Sequence, residues 1–163
     1  MTRLTHVDDS GAARMVDVGA KPDSIRAATA SGSITMAEDT FQAIRENRIA
    51  KGDVLAVARI AGIMASKRAS EPIPLCHPIA LTNVTVELEL DSSLPGVRVT
   101  ASASTVAKTG VEMEALTAVA ATLLTIYDMA KGMDRRMVIG SVSLLEKTGG
   151  QSGDWKRGAQ PRE

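Results

Sequence analysis

The sequence predicts an α+β fold in which an antiparallel sheet packs against segregated helices. Two observations carry this. Val84, Val86, Leu88 and Leu90 alternate with Thr85, Glu87 and Glu89, and Val97, Val99, Ala101 and Ala103 alternate again after a Pro95-Gly96 turn. Two such runs around a short turn form an antiparallel hairpin with one wet face. The helical patterns lie outside this hairpin, which is the order of an α+β chain and not of a doubly wound sheet. No repeat or linker divides the 163 residues, so a single domain over 1–163 is expected.

The elements follow in chain order. Met1 to Arg14 is polar and is expected to be loose or draped over a partner. Met15 to Val18 reads as a short strand, and Ile25 to Met36, with weak alternation among Ala, Ser and Thr, as another. Ala37 to Asn47 reads as a helix with Phe41 and Ile44 spaced by three. Lys51-Gly52-Asp53 is a turn, and Asp53 can cap a helix from Val54 to about Lys67. That helix is apolar nearly all round apart from Arg59, and Ala56, Ala58, Ala61, Gly62 and Ala65 permit close packing. Pro72, Pro74 and Pro78 then interrupt regular structure before the hairpin. A long helix spans Lys108 to Lys131, a strand runs from Met137 to Leu145, and the tail Lys147 to Gly153 is read as flexible. Both ends, 1–14 and 150–163, are expected to be flexible or at subunit contacts. Two helices apolar on most faces exceed what one small domain can cover, so an oligomer is expected.

Composition excludes several functions. Nineteen basic and nineteen acidic side chains cancel, so no net field favours nucleic acid or an anionic membrane. Phe41, Tyr127 and Trp155 are too few aromatics for a stacking platform on single strands. No apolar run reads as a membrane span and Met1-Thr2-Arg3-Leu4 does not begin a signal peptide, so a cytoplasmic protein is expected. The lone Cys76 agrees with a reducing compartment.

The long helix carries the most informative anomaly. Helix C-termini favour cations, so Lys131 fits its place and Asp128 opposes it. The two share one helix face. A surface ion pair explains the spacing but not the acid's position. In a partly buried site, neighbours and desolvation could bring both groups towards neutrality for acid–base work. At the other end, Thr109-Gly110-Val111-Glu112 fits a capping box, which accounts for Glu112 better than catalysis does. Glu114 is not needed for that cap and reads equally as a first-turn acid or a functional group. Ile73-Pro74-Leu75-Cys76-His77-Pro78 is an extended, proline-bounded loop. Cys76 and His77 there read as substrate contacts, as a weak nucleophile pair, or as a buried thiol beside a solvent-facing imidazole. With only His6 and His77 to join Cys76, a zinc site is a poor reading. Lys51-Gly52, Lys108-Thr109-Gly110 and Lys147-Thr148-Gly149-Gly150 place cations beside glycine turns, a pattern suited to a polyanion. The order is wrong for a Walker A loop, and no Ser-x-x-Lys accompanies the Lys-Thr-Gly triplets as β-lactamases require.

Over nearly its full length the chain resembles the cyclic pyranopterin monophosphate synthase family of molybdenum cofactor biosynthesis. The resemblance rests on co-linear strings. These include Met15-Val16-Asp17-Val18, Lys51-Gly52-Asp53-Val54, Ala58-Arg59-Ile60-Ala61-Gly62-Ile63 and Ile73 to Pro78. They continue with Lys108 to Thr117, Tyr127-Asp128-Met129, Met137-Val138-Ile139-Gly140 and Gly149-Gly150-Gln151-Ser152-Gly153. It implies a ferredoxin-like subunit in a homo-hexamer, a trimer of dimers, with active sites between subunits. It implies a lyase that rebuilds a cyclised GTP derivative into a pyranopterin, closes a cyclic phosphate and releases pyrophosphate. Asp128 is implied as the acid, and Lys51 and Lys131 as essential lysines. Leu75, Cys76, His77, Met113 and Glu114 are implied substrate contacts, with Glu112, Arg26 and Lys147 beside them. No resident cofactor or metal is implied, although Mg²⁺ could accompany the triphosphate. Two rivals are weighed. A non-catalytic nucleotide- or pterin-binding subunit would not need an acid at a helix C-terminus. An oligomerisation module would leave the Pro-Leu-Cys-His-Pro loop idle.

Overall fold

The computed structural model describes residues 10–158. Its elements are β1 (Ser24–Thr35), α1 (Glu38–Arg45), α2 (Val54–Ser66), β2 (Asn83–Asp91), β3 (Gly96–Ala107), α3 (Glu112–Ala130), β4 (Val138–Thr148) and β5 (Trp155–Lys156). They form a five-stranded sheet in the order β2-β3-β1-β4-β5. Every pairing is antiparallel. The fold is therefore α+β, with a β-α-α-β-β-α-β-β succession in which β1 occupies the centre between β3 and β4.

Side-chain alternation sets the two faces. On β1, Ala28, Ala30 and Ile34 are buried, and in register with them on β3 lie Ala103, Ala101 and Val97. These small and branched residues leave room for α3, whose Ala115, Ala118, Val119, Leu123 and Ile126 are buried against the sheet. The opposite face carries hydroxyls, including a Thr29–Ser102 pair at 2.9 Å. The hairpin β2–β3 matches the alternation read from the sequence. Met15 to Val18 is not a strand. Instead the segment runs without strand structure, anchored where the His77 ring bonds the Val16 carbonyl at 2.8 Å.

The ends of two other elements also differ from expectation. α3 starts at Glu112, not Lys108, because β3 continues to Ala107 and the chain needs the next residues to turn. Val111 holds the N-cap position and no side chain caps it, so the Thr109–Glu112 capping box does not form. β4 runs on to Thr148, past the expected end at Leu145. Register shifts between Thr29/Ala30 and Ser31/Ser33 break its alternation with β1, which is why the strand is hard to read. The tail read as flexible is organised: Lys147 pairs with Trp155, and the Gly149 N–H donates to Asp154 Oδ1 at 3.0 Å. The remainder of the two expected loose ends, residues 1–9 and 159–163, lies outside the described residues.

Asp53 caps α2 as expected, its Oδ1 accepting the Ala56 N–H at 2.9 Å. α1 has no cap of its own; Asp134 Oδ2 accepts the Ala37 N–H at 2.8 Å instead. α2 crosses α3 at Gly62, where close approach demands the absence of a side chain. Among the described residues α3 alone would suit a bilayer by length and apolar content, contrary to the sequence reading, but half of it is buried inside the fold as the core helix. Val57, Ile60 and Met64 on α2 and Leu124 on α3 remain exposed, an apolar face that this chain does not cover.

Candidate active site

The predicted site residues fall into two groups at opposite ends of α3. At its C-terminal end, Lys51 from the turn before α2 meets Asp128 and Lys131. Asp128 Oδ1 lies 2.7 Å from Lys131 Nζ, and Oδ2 lies 3.1 Å from Lys51 Nζ. Lys51 also donates to the Asp128 carbonyl at 2.8 Å. This resolves the electrostatic anomaly. An acid at a helix C-terminus is unfavourable alone, but here it draws two ammonium groups to that end, and one binds a terminal carbonyl directly.

The same geometry corrects the expected protonation. The hydrogen bonds and charges of Lys131 and Lys51 hold the Asp128 carboxyl below the usual carboxylate range. Its side chain is 57% exposed, so burial opposes them only weakly. Asp128 in this arrangement is a carboxylate clamping two lysines, shifted in the direction opposite to the move towards neutrality expected from the sequence.

At the N-terminal end of α3 the chain forms a cavity of about 320 Å³ whose wall includes Lys21, Arg26, Lys108, Lys147, Gly149 and Glu112. Four cations against one carboxylate make it an anion site by charge. Of the three Lys–Gly segments, two converge here, while Lys51 belongs to the other end. Lys21 was missed by the sequence reading. Its signal was present, since Gly19-Ala20-Lys21 also sets a cation near a glycine turn, but Ala20 intervenes. Lys108 fixes this turn by donating to the Gly19 carbonyl at 2.6 Å.

A smaller cavity of about 200 Å³ adjoins it, sharing Lys21, Thr109, Gly110 and Glu112, and is lined also by Leu75, Cys76, His77 and Met113. The proline-bounded loop thus presents its residues to a cavity as expected. Glu114 does not line it. This carboxyl is 3% exposed, behind Cys76, whose thiol approaches Oε1 at 3.7 Å. Its Oε2 has no hydrogen-bond partner. Burial raises the Glu114 carboxyl above the ordinary range, outweighing the hydrogen bonds from its own N–H and from Cys76, with Glu112 adding to the rise. Burial, then the Glu114 charge and hydrogen bond, push the Cys76 thiol up to about 11. A thiol so raised is a poor nucleophile, and Cys76 bonds Glu114 while the His77 ring bonds Val16, which counts against the Cys–His nucleophile reading. Among the described residues no three His, Cys, Asp or Glu side chains gather as a metal site would need.

Between Glu112 and Asp128 the helix rises about 1.5 Å per residue, which separates the two groups by about 24 Å. One chain does not bring them together.

A family model described as the MoaC family matches residues 15–150 of this chain. The chain belongs to the MoaC family. It is 58% identical over 153 residues to proteins named cyclic pyranopterin monophosphate synthase from Brucella ovis, Brucella canis and Brucella suis biovar 1, covering 94% of this chain and 93% of each relative. The MoaC match spans both groups of residues, from before Lys21 to beyond Lys147. At this identity over nearly the whole length, the relatives share the fold and its elements as well as isolated motifs.

Proposed function

We propose that the chain carries out the cyclic pyranopterin monophosphate synthase reaction of molybdenum cofactor biosynthesis. The substrate is (8S)-3',8-cyclo-7,8-dihydroguanosine 5'-triphosphate. The products are cyclic pyranopterin monophosphate and pyrophosphate. The observation that carries this reading is the near-full-length match to proteins of that name. The chemistry of the residues fits it. A substrate hydroxyl attacks the α-phosphorus, the bond from that phosphorus to the pyrophosphate oxygen breaks, and the hydroxyl proton passes to a base. Pyrophosphate departs more readily beside fixed cations, which Lys21, Arg26, Lys108 and Lys147 supply in the larger cavity. Rebuilding the ring system needs proton transfers, for which Lys51 and Lys131 are the groups positioned by Asp128. No resident cofactor enters this scheme, and any Mg²⁺ would arrive with the triphosphate.

In this reading the subunit is ferredoxin-like, supported by its strand succession and sheet order. It assembles as a hexamer, a trimer of dimers, in the cytoplasm. The separation of the two residue groups supports a site completed by a second copy, with the Lys51–Asp128–Lys131 cluster of one subunit facing the cavities of its neighbour. The uncovered apolar face of α2 supplies surface for such contacts.

Purified protein supplied with the cyclised triphosphate should release pyrophosphate and form the cyclic phosphate product. Binding without conversion would favour the non-catalytic rival. For the shared site, the double variant Arg26→Ala/Lys147→Ala should be mixed with Asp128→Ala/Lys131→Ala under subunit exchange. Random exchange between two inactive proteins restores about a quarter of the sites if each site draws on two subunits. No regain after verified exchange would sink the shared site.

A further inference from the structure

We propose that Gly150 and Ser152, in the turn between β4 and β5, are positioning residues that set Arg26 and Lys147 to grip one polyphosphate together. The inference rests on the reading of the larger cavity as a polyphosphate subsite.

Arg26 leaves β1 beneath this turn. Its Nε donates to the Ala107 carbonyl at 3.4 Å and one terminal nitrogen donates to the Lys108 carbonyl at 3.3 Å. These two bonds fix the plane of the guanidinium and leave its other N–H groups uncommitted. The guanidinium can lie so only because position 150 lacks a side chain. A Cβ on Gly150 would fall on the Arg26 Nη1 nitrogen. Gly150 also has φ +85°, a conformation open mainly to glycine.

Lys147 is set by a different contact in the same turn. Its ammonium donates to Ser152 Oγ at 2.5 Å. The ammonium's other N–H groups stay available. Ser152 does not depend on that lysine for its own place. The Gly153 N–H donates to the Gly150 carbonyl at 3.1 Å, the Gly149 N–H is held by Asp154, and β5 pairs back onto β4. The backbone orders the turn, and the turn orders the lysine. A cation ordered before the ligand arrives loses less side-chain freedom on binding. Arg26, Lys147, Gly149, Gln151 and Ser152 all line the one cavity, so the turn serves both cations at once.

The test is calorimetric titration of inorganic tripolyphosphate into the full chain, beside steady-state kinetics with the cyclised triphosphate. Ser152→Ala should weaken tripolyphosphate binding about three- to tenfold, and Ser152→Thr should recover it by keeping the hydroxyl. Gly150→Ala should weaken it about tenfold. Gly158→Ala is the control, because Gly158 has φ +78° but a Cβ there meets nothing within 4 Å, so it carries backbone strain outside the turn and without touching Arg26. It should bind as wild type. In turnover, Ser152→Ala should raise KM and also lower kcat, because the loosened Lys147 serves both the bound polyphosphate and the departing pyrophosphate, and Ser152→Thr should restore both. Arg26→Ala and Lys147→Ala separate the failures. If they weaken binding while Ser152→Ala and Gly150→Ala do not, the positioning role is wrong and the subsite stands. If they too bind as wild type, the subsite is wrong and the proposal falls with it. Should Gly150→Ala not fold, the Ser152→Ala and Ser152→Thr pair decides.

Discussion

Replacing Gly62 by alanine sets two effects of known sign against each other. In an isolated helix the change would stabilise by about 1 kcal/mol, because glycine is the poorer helix former. Here Gly62 is buried where α2 crosses α3. A Cβ would collide with Thr122 Oγ1 and stand 2.9 Å from the Ala118 carbonyl oxygen. The carbonyl belongs to the backbone of α3 and cannot rotate away. Thr122 could rotate, but its hydroxyl is fully buried and donates to that same carbonyl at 2.8 Å. Overpacking of this kind costs about 1–3 kcal/mol, and a buried hydroxyl left without a partner about 1–3 kcal/mol more. After the propensity gain, the net destabilisation is about 1–5 kcal/mol. At about 2–4 °C per kcal/mol for a chain of this size, a central value of about 3 kcal/mol lowers Tm by about 6–12 °C. Calorimetry at fixed protein concentration measures this, since assembly makes Tm concentration-dependent. Gly62→Ala combined with Thr122→Ala should recover part of the loss, the carbonyl contact remaining. A Gly62→Ala protein as stable as wild type would refute the reasoning, because propensity would then outweigh a contact the structure gives no means of relieving.

Asp128→Asn should lower kcat by about a hundredfold or more while the protein stays folded, since it releases two lysines from one exposed carboxylate; near-normal turnover would remove Asp128 from the mechanism. Glu114 has its carboxyl raised in the folded state, so the native protein binds its proton more tightly than the unfolded chain does. Stability must therefore fall as pH rises from about 4.5 through the folded pKa. Glu114→Gln should flatten that fall, measured as Tm against pH; identical profiles for the two proteins would contradict it. Cys76, at about 11 against an ordinary 9.0, should alkylate about tenfold more slowly than a free thiol at neutral pH, after its higher intrinsic nucleophilicity offsets part of the lost thiolate. Glu114→Gln should speed that reaction, and mass spectrometry of iodoacetamide-treated protein reads both rates.

Local patterns were legible wherever one physical requirement acted alone. The β2–β3 hairpin followed from strict alternation, and the Asp53 cap from a short acceptor ahead of an apolar run. The misreadings occurred where two requirements competed. Thr109 has the right spacing from Glu112 for a capping box, but β3 extends so far that the helix can begin only after Val111. β4 reads as ending at Leu145 because its bulges break the alternation, and no apolar run reads as a membrane span although the length and apolarity of α3 suffice for one. The Lys147–Gly153 segment is glycine-rich and reads as loose; Asp154 and the short β5 organise it from residues further along.

The sequence by itself determined the fold class, the helix that forms the core and the residue types of the chemistry. Periodicity and capping are local, and the strings that mark the family are contiguous. Only the tertiary structure decided which cations share a cavity. It joined Lys21 to Arg26, Lys108 and Lys147, and sent Lys51 to the far end of α3. Charge states likewise followed from neighbours distant in the chain. Asp128 is kept ionised by two lysines, and Glu114 is raised by burial behind Cys76. Electrostatics depends on distance in space and on access to water, and a linear order of residues encodes neither until the sheet and its helices have closed around one another.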